Sequence, residues 1–194
     1  MLFSRLLCNI WYNFAINSVG GFVSYRIQFG GDNVPDEQLP SMSIAECQVE
    51  TIKHIEEVRK VIRWFTDKLT TRGVNHDQSK LQSPEVEGFA EHTPRLAYLQ
   101  YGTEEYEREL AELKPTLDHH YAKNRHHPEH FEGGINDMTL VDIVEMFCDW
   151  RASSMRNKNG NLLKSIEINA ARFRIDSQLE QIFINTAKSI DESE

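Results

Sequence analysis

TLVDIVEMFCDWRASSMR, residues 139–156, is the stretch that decides the fold class. Thr139 is a typical helix N-cap, and the apolar residues after it recur at helical spacing, which predicts an α-helix. Asp149 lies among mostly apolar neighbours such as Phe147 and Trp150, so this part of the helix is predicted to be largely buried. A buried carboxylate needs a partner, and a cation is a suitable one.

The rest of the chain also has helical patterns. Ser43 is a candidate cap for a long helix that ends near Thr71, and another cap, Thr103, precedes a helix that reaches a histidine cluster. Further helices are predicted from about 85 to 99 and towards the C-terminus. No strand alternation is apparent, so we predict an all-α bundle with a metal site between its helices. An N-terminal arm and linker are expected over 1–43, and a helical domain over 44–190.

Composition excludes some classes of function. The 194 residues carry a formal net charge of -9, which argues against broad nucleic-acid binding because that needs a basic surface. The three cysteines form no CxxC pair, which favours a reducing, cytoplasmic environment. The apolar N-terminus is interrupted by Asn9, Asn13 and Asn17, so no membrane span is predicted. A helix or arm packed on the body of the protein is favoured over a membrane-associated N-terminus. A homo-oligomer is compatible with these features.

Histidines are concentrated at HHYAKNRHHPEHF, residues 119–131, which holds five of the eight in the chain. Neighbouring residues on a helix differ in direction by about 100°, so His119 and His120 do not face one point. His120 and His127 would share a face if the helix continued, and so would His119 and His126. The sequence leaves open which of these are metal ligands.

Other potential ligands occur at three places along the chain. They follow the order His54, then His76 with Asp77, then the histidine cluster, then Asp149. Imidazole and carboxylate ligands suit manganese, iron, cobalt, nickel or zinc. Adjacent His76 and Asp77 can bind one ion, or Asp77 can bridge two. A divalent ion held in this way activates water and polarises a phosphoryl oxygen.

These motifs resemble those of the HD-domain superfamily of metal-dependent phosphohydrolases. HDQSK at 76–80 is similar to its HDxGK-type signature, with Ser79 where glycine is common. FCDWRASS at 147–154 resembles the helix with the final aspartate, and HHPEHFEGG at 126–134 resembles an HD-GYP motif without its tyrosine-proline. The combination is most similar to small phage and bacterial proteins related to HD domains. The resemblance covers about residues 45–175.

The resemblance implies roles for particular residues. His54, His76, Asp77 and Asp149 match the ligands of one metal ion, and the second ion of some branches is expected to have ligands among His120, His126 and His127. Lys80 matches a lysine that contacts the substrate or the aspartate. Further candidates come from their chemistry: Asn124, Arg125 and Arg151 for anionic oxygens, and Glu129 as a general acid or base or as a solvated residue.

The expected function is therefore hydrolysis of a nucleotide or another small phosphoester with one or two divalent ions. Two alternatives remain open at this stage: a di-iron oxygenase of the HD type, and a non-catalytic module that binds a nucleotide or a partner. Asp142 and Glu145 are each expected either to orient a ligating histidine or to pair with an arginine.

Overall fold

The computed structural model describes residues 41–100, 102–156 and 160–191. These residues form α-helices and short 3₁₀ turns and contain no strand, which confirms the all-α prediction. The helices are α1 (Ile44–Asn75), α2 (Glu85–Tyr98), α3 (Glu104–Lys123), α4 (Leu140–Met155), α5 (Leu162–Phe173) and α6 (Ser177–Asp191). The 3₁₀ turns span Gln78–Leu81, Pro128–His130 and Gly134–Asp137.

The predicted helix caps are present. Thr103 accepts a hydrogen bond from the Tyr106 backbone at the start of α3. At the start of α4, Thr139 and Asp142 each accept a hydrogen bond from the other's backbone N–H, which satisfies two donors that a helix terminus leaves unpaired. The first helix continues past the predicted end near Thr71 because Gly73 lies within it without breaking it.

The hydrophobic core lies between the last three helices. On α4, Met146, Phe147 and Trp150 are buried, and the Phe147 ring stacks on Phe183 of α6 with centroids 5.6 Å apart. Ile166 of α5 is fully buried in the same cluster. Asp142, Glu145 and Asp149, which recur at helical spacing, lie on a different face of α4 from these core residues.

The second and third helices pack closely against each other. Gly88 of α2 lies so near α3 that an added Cβ would clash with the Thr116 side chain. A hydrogen bond of 2.8 Å between His92 Nδ1 and Glu109 Oε1 also joins the two helices. This packing fixes the position of the C-terminal end of α3, where the histidine cluster begins.

The chain divides into two compact units, Met1–Lys53 and His54–Glu194. Of the first unit only residues 41–53 are described, so the arm predicted over 1–43 lies almost entirely outside the described residues. No residue of α1 is buried. In the described ranges, no helix has a stretch that is both long and apolar enough to cross a bilayer.

Candidate metal centre

Asp77 lies at the turn that follows α1. Its backbone adopts the left-handed conformation (φ 56°, ψ 15°), which costs a residue other than glycine about 1 kcal/mol, and aspartate is among the side chains that tolerate it. The turn reverses the chain directly after His76. His76 thereby contacts Asp149 of α4, and Asp77 contacts His120 of α3 and His126 in the loop that follows α3.

One group of potential metal ligands consists mainly of imidazoles. Its members are Asp77, His120, His126 and His127, which we call the histidine-rich group. His120 Nε2 lies 2.9 Å from His127 Nε2, and Asp77 Oδ1 lies 3.4 Å from His120 Nε2 and 3.5 Å from His126 Nε2. Ligands about 2.1 Å from a single ion lie roughly 3.0–3.4 Å from each other, so this spacing suits a transition metal.

Two atoms of the histidine-rich group have no hydrogen-bond partner although they are buried. They are Asp77 Oδ1 and His126 Nε2. Buried polar atoms are rarely left unpaired, and such a case requires an explanation. A cation between these two acceptors would satisfy both of them, so the residues present fit a metal ion.

A second group combines one imidazole with two carboxylates. It contains His76, Asp77 and Asp149, which we call the carboxylate-rich group. His76 Nε2 lies 3.5 Å from Asp77 Oδ2 and 3.7 Å from Asp149 Oδ1. Asp77 thus directs Oδ1 to the histidine-rich group and Oδ2 to this one, and its carboxylate connects the two.

Glu145 orients two of the histidines through their Nδ1 atoms. Its Oε1 lies 3.0 Å from His76 Nδ1 and 3.3 Å from His126 Nδ1, and its Oε2 lies 3.0 Å from Arg72 Nε. A carboxylate that accepts from Nδ1–H leaves Nε2 as the ring nitrogen directed at the site. His76, His126 and Glu145 also form a set that could hold an ion, but the hydrogen bonds to Nδ1 favour the orienting role.

Asp142 joins three elements around the site. Its buried carboxylate accepts two hydrogen bonds from Arg125, Nε at 3.2 Å and Nη2 at 3.0 Å, and another from Arg72. Both alternatives considered for the two acidic residues of α4 therefore occur: Asp142 pairs with arginines, and Glu145 contacts histidines as well as Arg72.

The charges of the site shift several pKa values. The neighbouring carboxylates of Asp149 and Glu145 raise the pKa of His76 to about 10, so without a cation this imidazole is protonated. Burial alone would raise the pKa of Glu145, but hydrogen bonds from His126 and His76 lower it to about 2. Burial and the neighbouring His126 and His120 lower the pKa of His127 to about 3. His127 is therefore neutral, which is the form that binds metals.

Comparison with known protein families gives one match. Residues 43–190 match a profile described as "Family of unknown function (DUF5662)". The chain belongs to this family. No curated protein and no solved structure matches it. The matched range contains both ligand groups and all six helices except the last residue of α6.

In this DUF5662 chain, His54 does not reach the site, so that part of the prediction is wrong. His54 is exposed on α1. It lies on the same continuous helix as Asn75, roughly 30 Å from it at 1.5 Å per residue. The resemblance had implied that it is a ligand of the same ion as His76, Asp77 and Asp149. The other predicted ligands are brought together.

The predicted acid-base residue Glu129 also lies outside both ligand groups. It is exposed, and its Oε1 accepts a hydrogen bond of 2.6 Å from Arg172 of α5. Glu129 is therefore engaged in a surface ion pair, which agrees with the solvated alternative and not with an acid or base at the metal centre.

The residues predicted to hold substrate differ in their availability. Asn124 is buried and donates to Ser79 Oγ and to the His120 carbonyl, and Arg125 is paired with Asp142, so both side chains are already used by the protein. Arg151 lies two residues after Asp149 on α4, a spacing that puts the two on different faces. Lys80 is paired as well, but its partner belongs to the candidate centre: its Nζ lies 2.7 Å from Asp77 Oδ2, and its side chain is 38% exposed.

Sequence reasoning missed Glu85, the first residue of α2. It is fully buried, and its carboxylate contacts His119, His120 and Ser79. An acidic residue in the first turn of a helix is usually explained by the helix dipole. Its position shortly after HDQSK is the one sequence feature that suggests proximity to the site. No spacing rule predicts from that position a contact with His119 or His120.

Proposed function

We propose that this chain is an HD-type metal-dependent phosphohydrolase that acts on a nucleotide or another small phosphoester. One observation carries the proposal: Asp77, from the HDQSK motif, directs one carboxylate oxygen to the imidazoles of His120 and His126 and the other to His76. A carboxylate in this position suits a pair of ions. Paired ions are a common device for displacement at phosphorus.

The two ligand groups differ in the ions they suit. The histidine-rich group offers three nitrogens and one oxygen, which suits zinc, iron, cobalt or nickel. The carboxylate-rich group offers one nitrogen and two carboxylates, which suits manganese among the candidate ions. When bound, such ions lower the pKa of water and stabilise charge on a phosphoryl group.

The chain's own residues contribute binding and charge. Lys80 donates to Asp77 Oδ2 in this structure, and its partial exposure leaves it able to turn towards an anionic substrate. An ammonium group is a suitable phosphate ligand. Glu145 keeps the Nε2 atoms of His76 and His126 directed at the site.

The location forms part of the proposal. Cys47 and Cys148 are free and exposed, and unpaired thiols of this kind are typical of a reducing compartment. We therefore propose a cytoplasmic location.

Phosphate release from a panel of nucleotides and simple phosphoesters tests the proposal. The purified full chain is assayed with manganese, iron, cobalt, nickel or zinc supplied. We expect metal-dependent release that Asp77→Asn abolishes and that Lys80→Met reduces mainly through a higher KM. A chain that binds metal but releases no phosphate under any of these conditions would reject the hydrolase and favour the non-catalytic binding module.

A di-iron oxygenase is the second candidate. The observation in its favour is the carboxylate of Asp77 between two groups that together offer four imidazoles, a ligand set that also suits iron. A mixed-valence iron spectrum of the purified protein, together with oxygen consumption and no phosphate release, would favour this alternative.

A further inference from the structure

Glu85 is the most deeply buried carboxylate near the candidate centre, with no exposed surface. Its Oε1 accepts from His119 Nδ1 at 2.7 Å, and its Oε2 accepts from His120 Nδ1 at 2.8 Å and from Ser79 Oγ at 2.9 Å. Three donors for one carboxylate stabilise its ionised form in a place where an unpaired charge would be costly.

The contact with His120 determines which nitrogen of that ring is available. An ionised carboxylate only accepts, so the proton of this contact is on His120 Nδ1. Asn124 Nδ2 lies 3.0 Å from the same nitrogen, but its two hydrogens are directed to Ser79 Oγ and the His120 carbonyl. The lone pair of a neutral ring is then on Nε2, the atom that lies 2.9 Å from His127 Nε2 and 3.4 Å from Asp77 Oδ1. Glu85 thus sets both the tautomer and the direction of a ring in the histidine-rich group.

Ser79 and Asn124 hold Glu85 in turn. The Ser79 hydroxyl donates to Glu85 and accepts from Asn124 Nδ2 at 2.8 Å. Asn124 Nδ2 also donates to the His120 backbone carbonyl, which ties the network back to the end of α3. Ser79 is the position at which this chain departs from the glycine of the HDxGK-type motif. A glycine there would offer no hydroxyl to Glu85.

We propose that Glu85, held by Ser79 and Asn124, is the positioning residue that fixes His120 in the Nδ1–H tautomer with Nε2 directed at the histidine-rich group. The inference rests on the proposed metal centre for its purpose, but the tautomer it assigns exists without an ion. Glu85 touches no candidate ion itself. Its effect on metal binding passes through His120.

Glu85→Gln tests this inference because it preserves the shape of the side chain but removes its charge and half of its accepting capacity. Asp118→Asn is the control, since it makes the equivalent acid-to-amide change at an exposed carboxylate of α3 that is paired with Lys114 and lies in neither ligand group. We expect the Co²⁺ affinity of the full-length E85Q chain to fall about 10–100-fold. The D118N chain should bind Co²⁺ as the wild type does, with a comparable melting temperature.

The tautomer is read separately by NMR of the ion-free protein with ¹⁵N-labelled histidine. His120 should carry its proton on Nδ1 in the wild type and lose that preference in E85Q. An unchanged tautomer, or unchanged Co²⁺ affinity where the wild type binds Co²⁺, would overturn the inference. If the wild type binds no metal, the proposed function fails, while the tautomer shift still decides the role of Glu85.

If E85Q does not fold, the Ser79→Ala variant tests the same inference. Ser79→Ala removes one of the three donors to Glu85 and keeps the buried charge. Loss of one hydrogen bond predicts roughly threefold weaker Co²⁺ binding. Wild-type affinity together with a wild-type His120 tautomer in S79A would then overturn the inference.

Discussion

His120 Nε2 and His127 Nε2 lie 2.9 Å apart. Without an ion, one neutral ring can donate its Nε2–H to the Nε2 lone pair of the other. The low pKa of His127 and the lowered pKa of His120, both caused chiefly by burial, keep the rings neutral, which is the form that binds metals. The two nitrogens are therefore close enough to share one cation, which leads to the first prediction.

We expect His127→Ala to weaken binding of the more tightly held ion by at least about tenfold, because the histidine-rich group loses one of its four ligands. Competition against a chromophoric chelator measures this. His54→Ala is the control: His54 is exposed and remote on α1, so its removal should leave affinity unchanged. Equal losses in the two variants would contradict the assignment of ligands.

Asp149→Asn should act on the other ion. The carboxylate-rich group then retains only His76 and Asp77, whereas the histidine-rich group keeps all its members. Calorimetric titration with Mn²⁺ and Zn²⁺ should therefore show loss of the weaker equivalent and retention of the tighter one. Asp118→Asn, which changes an exposed carboxylate bonded to Lys114, is the control. Loss of both equivalents would show that the two groups do not bind independently.

Asp142→Asn should reduce stability. The carboxylate is only 1% exposed and pairs with Arg72 and Arg125, so breaking these contacts should cost about 3 kcal/mol of unfolding free energy at pH 7. Urea unfolding measures it. Asp118→Asn, at a surface ion pair, should change stability by less than about 0.5 kcal/mol.

The loss of stability caused by Asp142→Asn should depend on pH. Burial alone would raise the pKa of Asp142, but hydrogen bonds from Arg125 and Thr139 keep it below its ordinary value. A lowered folded pKa contributes stability above the unfolded value, which is about 3.9, and loses it as the pH falls. The difference between wild type and D142N should therefore stay constant from pH 7 to about 5 and shrink below about 4. A constant difference down to pH 3 would refute this.

Two isoleucines of α5 test the position of the hydrophobic core. Ile166 is fully buried, whereas Ile168 is 56% exposed. Ile166→Ala should cost about 2–5 kcal/mol through lost burial and the cavity left behind, and Ile168→Ala less than about 1 kcal/mol. Thermal and urea unfolding of both variants compare the same chemical change in the same helix. Similar losses would place the core elsewhere.

The sequence determined the local structure well. Thr103 and Thr139 cap helices as predicted, because capping needs only residues a few positions apart. The motif that pairs His76 with Asp77 also places two ligands together through the backbone alone. The predicted all-α class follows from helical spacing within each segment.

Tertiary structure decided which distant side chains meet. His54 is excluded from the site because α1 runs unbroken to Asn75. The sequence predicted an earlier helix end, but Gly73 does not terminate the helix. Glu85 is included because the packing of α2 on α3 places it beneath His119 and His120, a contact across more than thirty residues that no periodicity encodes. Spacing along a chain fixes the direction of a side chain on its own helix, whereas the distance between helices depends on how their surfaces pack.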